Sequence, residues 1–467
     1  MPTTPISERP AHRRHRRLLP IVITAAVVAP LVGTGASTPV AAFGAVGGDP
    51  VVAWNAIAGD AALAACIAPA NDPLHESRMY AMTHVAVHDA VNAIELRSQP
   101  YAYGPSSLRP SASPAAAVAT AAHDVLVPVI QDLPDIFPPE CIAAGVAVVE
   151  QAYAAALAEV PAGRARDEGI VLGQAAAQVV LALRAQDGSD TLMVDPNYPQ
   201  GDEPGEYRFT PGTPFAFAPG WGDVTPFVLK DSGQFGAPRP FRVTSSRYTR
   251  DFNEVKRLGG DGSATSPSDR TAEQTQIALF WVESSPLAWN RIARTVATSQ
   301  DLDAWDSARL FGLLNLAMAD GYIGSFEDKY SYNFWRPVTA IQLAADDGNR
   351  DTEANPAWMP LVTTPPIPDH DSAHAVEGAA AAEVFRRFFR TDRVSFEACS
   401  LTLPEGQRCG DATPVLRSFD RFSDAAEENG ESRILVGFHF RHAVGDGLDH
   451  GKRIADRAIS RYLRPVN

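Results

Sequence analysis

The chain has 467 residues, 45% of them hydrophobic and 20% charged, which excludes a disordered or low-complexity polymer and allows a large core or two to three average domains. Its formal net charge of −15 argues against nucleic acid or an anionic membrane as partner. Without residues 1–42, which hold five Arg and one acidic residue, the balance is more negative still.

Residues 1–42 read as an export signal. Arg13, Arg14, Arg16 and Arg17 precede an uncharged run from Leu18 to about Ala42, with Val40 and Ala42 placed before a cleavage point. The arginine pairs ahead of Leu18 and Leu19 point to the twin-arginine route and an extracellular or periplasmic destination. An uncleaved anchor is the alternative, but Pro20, Pro30 and Gly33 interrupt the run. No later segment is expected to span a bilayer. The four cysteines suit an exported protein. Cys399 and Cys409 flank a loop with Pro and Gly and are expected to pair, leaving Cys66 and Cys141 to each other. Four buried thiols are the alternative, and no spacing resembles a zinc site.

Residues 43–194 form an N-terminal helical region. Apolar residues recur at three and four over Trp54–Ile67, Ser77–Ile94, Ala115–Ile130, Cys141–Val160 and Ala165–Ala185, with Gly188 as a stop. The apolar stripe on these helices reads as core rather than as a subunit contact. Residues 195–245 are dense in Pro, Gly and aromatics, and read as a long ordered loop packed over the body. Residues 246–467 form a C-terminal helical region, with helices predicted over Thr271–Glu283, Asp301–Tyr322, Ser372–Phe389, Thr413–Glu428 and Ser432–Ala443, and a last one starting near Gly447. No convincing strand appears. The fold class is all-α.

Three short stretches in this region carry the chemistry. In the first, Lys329 and Arg336 are seven apart, which turns through about 700° on a helix and puts both cations on one face. Pro337 disfavours helix at Arg336, and Tyr330, Tyr332, Phe334 and Trp335 imply burial, where a cation needs an anion. The second, Pro365 to His374, is a turn entering a helix. There Ser372 offers a hydroxyl, Ala373 an N–H at the positive end of the helix, and His374 a group that exchanges a proton. Helix capping by Asp371 or Ser372 remains open beside that role. The third is Ser432-Arg433 with His439 six residues on; the two converge if a helix starts near Gly430 and Arg433 sits at its entry. Together these stretches offer three cations, a hydroxyl, a backbone donor and two imidazoles, the set a tetrahedral oxyanion needs. His84 and His88, four apart with Asp89 adjacent, lack the Glu of a metalloprotease motif and read as structural.

From about Asp320 to Gly451 the three stretches resemble the signature of vanadium-dependent haloperoxidases and the type-2 phosphatidic acid phosphatase superfamily: Lys, six residues, Arg-Pro; Pro-Ser-Gly-His; Ser-Arg, five residues, His. The likeness extends more loosely to Arg78–His84 and His88–Ala93, and the Phe334-Trp335-Arg336-Pro337 form resembles the haloperoxidase branch. The resemblance implies two four-helix bundles with the oxyanion at the end of the second. It implies vanadate as cofactor, with His439 as its axial ligand. Lys329, Arg336, Ser372, the Ala373 N–H and Arg433 would hold its oxygens, with His374 as acid–base partner. It further implies hydrogen peroxide, a halide and an organic acceptor as substrates. In a phosphatase of this superfamily the substrate is a phosphoester, His439 is the nucleophile and no cofactor is needed. A non-catalytic oxyanion-binding protein is the third reading. Two departures stand out. Asp371 and Ala373 replace the signature's Pro and Gly, and Ala443 stands where phosphatases carry an Asp that polarises the nucleophile, which favours the peroxidase.

Overall fold

The computed structural model describes residues 48–466. The predicted export signal lies outside the described residues.

Thirteen α-helices carry the fold among the described residues. The first five are α1 (Pro50–Ala64), α2 (Pro73–Asn92), α3 (Pro114–Gln131), α4 (Pro139–Glu159) and α5 (Arg164–Arg184). The first four begin with proline, whose ring presets a helical φ and whose missing N–H leaves no donor unpaired. Asp49, Asp72 and Ser113 cap α1, α2 and α3 by accepting first-turn N–H groups. These proline starts explain why the helices begin ahead of the apolar periodicity. In this first bundle α3 packs against α1, α2, α4 and α5. Cys66, just past α1, is bonded to Cys141 on α4, and Cys399 is bonded to Cys409.

The remaining helices are α6 (Ser246–Leu258), α7 (Ala272–Phe280), α8 (Ser285–Ser299), α9 (Ala304–Tyr332), α10 (Pro337–Leu343), α11 (Ala373–Phe389), α12 (Phe422–Leu435) and α13 (Arg441–Arg461). Helices α9, α11, α12 and α13 form the second bundle, and α9 also packs along α2. Two small antiparallel pairs complete the structure: β1 (Val194–Asp195) with β2 (Ala216–Phe217), and β3 (Phe396–Ala398) with β4 (Arg417–Phe419). The Pro/Gly/aromatic loop is pinned to α9. Asp320 accepts the N–H groups of Phe227, Val228 and Leu229, and Asp328 accepts that of Ala237.

Several expectations are corrected. Helix α9 runs ten residues beyond Tyr322, and α6, α8 and α10 are unforeseen. The helix predicted from Thr413 begins only at Phe422, because Arg417–Phe419 pair as β4. Gly430 lies inside α12, and Gly447 inside α13. Both are packing positions: a Cβ on Gly430 would sit 3.0 Å from Val444, and one on Gly447 would sit 2.8 Å from the Ser372 carbonyl. The break falls at Gly437, whose φ of +86° ends α12, so the helix predicted over Ser432–Ala443 is instead a helix end, a turn and a helix start. Contrary to expectation, α3 and α4 are long and apolar enough, by length and composition, to cross a membrane. Their alanine content raises hydropathy without large side chains. Helix α3 is largely enclosed by its neighbours, but α4 leaves Ala143, Ala144 and Ala147 exposed, so the N-terminal stripe is not all core.

Candidate functional site

Lys329 lies in the last turn of α9, which ends at Asn333 in a left-handed conformation. Arg336 is the N-cap of α10, so the two cations sit on successive helices rather than on one face of a single helix. A small core of Tyr248, Phe252, Phe334, Trp335, Trp358 and Phe440 underlies this junction. Arg433 is in the last turn of α12, not at a helix entry, and His439 lies in the turn before α13. That turn folds back, with the N–H groups of Phe438 and His439 both donating to the Arg433 carbonyl. The two residues meet through this reversal, which helical spacing does not predict.

The structure brings the predicted residues together. Arg336 donates through Nη1 to the Phe438 carbonyl at 2.8 Å and approaches His439 Nε2 at 2.9 Å, while its Nε donates to Ile367 O at 2.6 Å. Lys329 donates to the carbonyls of Pro368, Asp369 and Asp371, fixing the segment that leads to Ser372. Arg433 donates to Trp281 O at 2.6 Å, and His374 Nε2 is 3.2 Å from Glu283 O. Lys329, Arg336, Ser372, Ala373, Arg433 and His439 are buried, whereas His374 keeps part of its surface accessible.

The electrostatics follow from burying cations together. Burial, then the Arg336, Lys329 and Arg433 charges, push His439 well below the ordinary imidazole range. His374 is pushed the same way by burial and then by Arg433. Lys329 falls to about 7, through burial first and Arg336 second. All three cations therefore act on both imidazoles, and both imidazoles are held neutral.

Three atoms bear on what these residues could hold. Ser372 occupies the N-cap position of α11 but makes no capping bond, and its Oγ is buried without a hydrogen-bond partner among the described residues. Arg433 Nε is buried and unpartnered in the same way. His439 Nδ1 faces Asp369 Oδ1 at 2.9 Å, so it carries the proton and leaves the Nε2 lone pair toward Arg336. A buried donor without an acceptor is costly, and an oxyanion supplies the acceptors that the Ser372 hydroxyl and Arg433 Nε–H lack. The residues thus fit a vanadate or phosphate ion. Capping does not explain Ser372, and Asp371 is committed to Ser325 and His450.

The carboxylate for His439 comes from Asp369, which the sequence reading passed over. Its signal is the alternation Asp369-His370-Asp371 directly before Ser372. The carbonyls of Trp281 and Glu283, between α7 and α8, carry no sequence signal. His84 and His88 do not share a ligand. His84 Nε2 meets Asn55, and His88 lies between Asp89 and Ser98.

Residues 309–467 match a family model described as the VCPO second helical-bundle domain. A vanadium chloroperoxidase from Curvularia inaequalis is 26% identical over 316 residues, covering 55% of this chain and 50% of that protein. The chain is similar to vanadium-dependent haloperoxidases. It spans about half the length of that curated relative. Among solved structures, the first bacterial vanadium-dependent iodoperoxidase superposes with a TM-score of 0.70 at 22% identity, covering 90% of this chain and 97% of that one. A holo-type bacterial vanadium-dependent chloroperoxidase gives 0.64 at 17% identity, covering 86% and 94%. These likenesses establish the all-α helical-bundle fold.

Proposed function

We propose that this chain is an exported enzyme of the vanadium haloperoxidase type, which binds vanadate and uses hydrogen peroxide to oxidise a halide. One observation carries the reading: His439, its Nδ1 proton held by Asp369, turns Nε2 toward Arg336, while Ser372 Oγ and Arg433 Nε are buried without partners. Arg336, Arg433, Lys329, Ser372 and the Ala373 N–H would hold the oxygens of vanadate, with His439 Nε2 as its ligand. Bound there, vanadate would supply the electrophilic centre at which peroxide is activated for two-electron oxidation of the halide. His374, neutral and partly accessible, would take a proton from incoming peroxide and return it. The two disulfides support an oxidising destination, extracellular or periplasmic.

A phosphatase using His439 as nucleophile is the second reading, and the Asp369 contact favours it. The missing acid at Ala443 counted against hydrolysis, yet Asp369 supplies a carboxylate to the same imidazole. Paired assays on the purified protein separate the readings. The peroxidase requires halogenation that depends on vanadate, bromide and peroxide, is inhibited by phosphate, and falls at least about a thousandfold in His439→Ala. Hydrolysis of p-nitrophenyl phosphate without vanadate, and no halogenation with it, would establish the phosphatase instead. Tight phosphate binding with neither activity would leave a binding protein.

A further inference from the structure

The haloperoxidase signature places proline before its serine, but this chain has Asp371 there, and His450 lies outside all three signature stretches. Both residues are fully buried. Asp371 Oδ1 accepts from Ser325 Oγ on α9 at 2.7 Å, and Oδ2 accepts from His450 Nδ1 on α13 at 2.9 Å. The carbonyl of Asp371 receives Lys329 Nζ, and the N–H of the next residue, Ser372, donates to Ala443 O on α13 at 3.0 Å. One residue therefore joins α9, α13 and the first turn of α11 at the point where Ser372 is presented. Asp328 stands 3.5 Å from the same His450 nitrogen and accepts the Ala237 N–H at 2.6 Å, tying the long loop into the row.

A buried carboxylate beside an anion pocket would repel the ligand and lose its own hydration. Asp371 has its charge met by a hydroxyl and an imidazole N–H, while its main chain meets Lys329. A proline ring stiffens such a turn by removing backbone freedom. Here hydrogen bonds from two helices do so instead.

We propose that Asp371 and His450 form a positioning pair that fixes the first turn of α11, so that the Ser372 hydroxyl and the Ala373 N–H are presented to an oxyanion. What is presented rests on the oxyanion reading above; the fixing of the turn does not. Asp371→Asn keeps an acceptor toward Ser325 but removes the charge opposite His450, and His450→Gln removes the imidazole. In the full chain, each substitution should raise hydrogen exchange of amides 372–376 and lower orthovanadate affinity, both by about tenfold or more. The double variant should lose no more affinity than the worse single one, because both changes break one contact. Unchanged exchange in the folded single variants, or losses that multiply in the double, would overturn the proposal. Should a variant fail to fold, the nitrogen-15 spectrum of His450 in the parent protein decides: a protonated Nδ1 in slow exchange supports the pair, and a bare Nδ1 overturns it. A parent protein that binds neither vanadate nor orthophosphate would refute the oxyanion reading, while exchange still judges the pair.

Discussion

At the level of single side chains, the proposed site turns on Asp369 and Lys329. Asp369→Asn should leave the fold intact and free the His439 tautomer. Halogenation, or phosphate release, should then fall by about ten- to a thousandfold in kcat, with the oxyanion dissociation constant changed far less, as steady-state kinetics and calorimetry would show. Lys329 yields a pH dependence whose sign is clear. Its pKa of about 7 lies below the ordinary lysine value, so above pH 7 the free site has lost a proton that anion binding must restore. Affinity for sulfate, whose own charge is constant here, should fall by up to about tenfold per pH unit above 7 in calorimetric titrations. The cations, the hydroxyl and both imidazoles were legible in the sequence because signature spacing marks them. Asp369 and His450 were not, since each acts on a histidine distant in sequence and only tertiary packing joins them.

The same contrast holds for helices and turns. Long Ala/Val/Leu periodicities announce α2, α3, α4, α5 and α11, because a 3.6-residue repeat of apolar side chains is the direct imprint of a buried helix face. Where glycine intervenes, local pattern misleads. Gly430 and Gly447 look like breaks but, with Gly451, let α12 and α13 approach their neighbours closely. A Cβ on Gly451 would fall 2.0 Å from Val376 O and 2.9 Å from Ala380 N, both backbone atoms of α11 that cannot move aside. Gly451→Ala should therefore destabilise the protein by about 1–3 kcal/mol or more and weaken oxyanion binding by moving α11, measurable as a lower Tm and a higher Kd. The genuine break, Gly437, has the positive φ that no composition rule separates from a packing glycine.

On the scale of the whole molecule, stability and site share buried charge. Burial pushes the Glu76 carboxyl on α2 up to about 8, against a hydrogen bond from Ser284 at 2.6 Å, so the native state holds a proton that the unfolded chain releases near 4.5. The native state thus binds more protons between those values. Stability from this group is complete below pH 4.5 and is lost as pH rises through 8. Glu76→Gln should remove that slope, and its stability relative to the parent should rise from pH 5 to 8 by up to about 1.4 kcal/mol per pH unit in denaturant melts. Helix α9 joins these levels. It is 29 residues long, packs against α2, α11 and α13, and has Lys329 and Tyr332 in its last turn. A beam shared by two frames leaves no hinge between them. Strain applied at the amino-terminal half would thus reach the proposed anion site as a tilt of one rod.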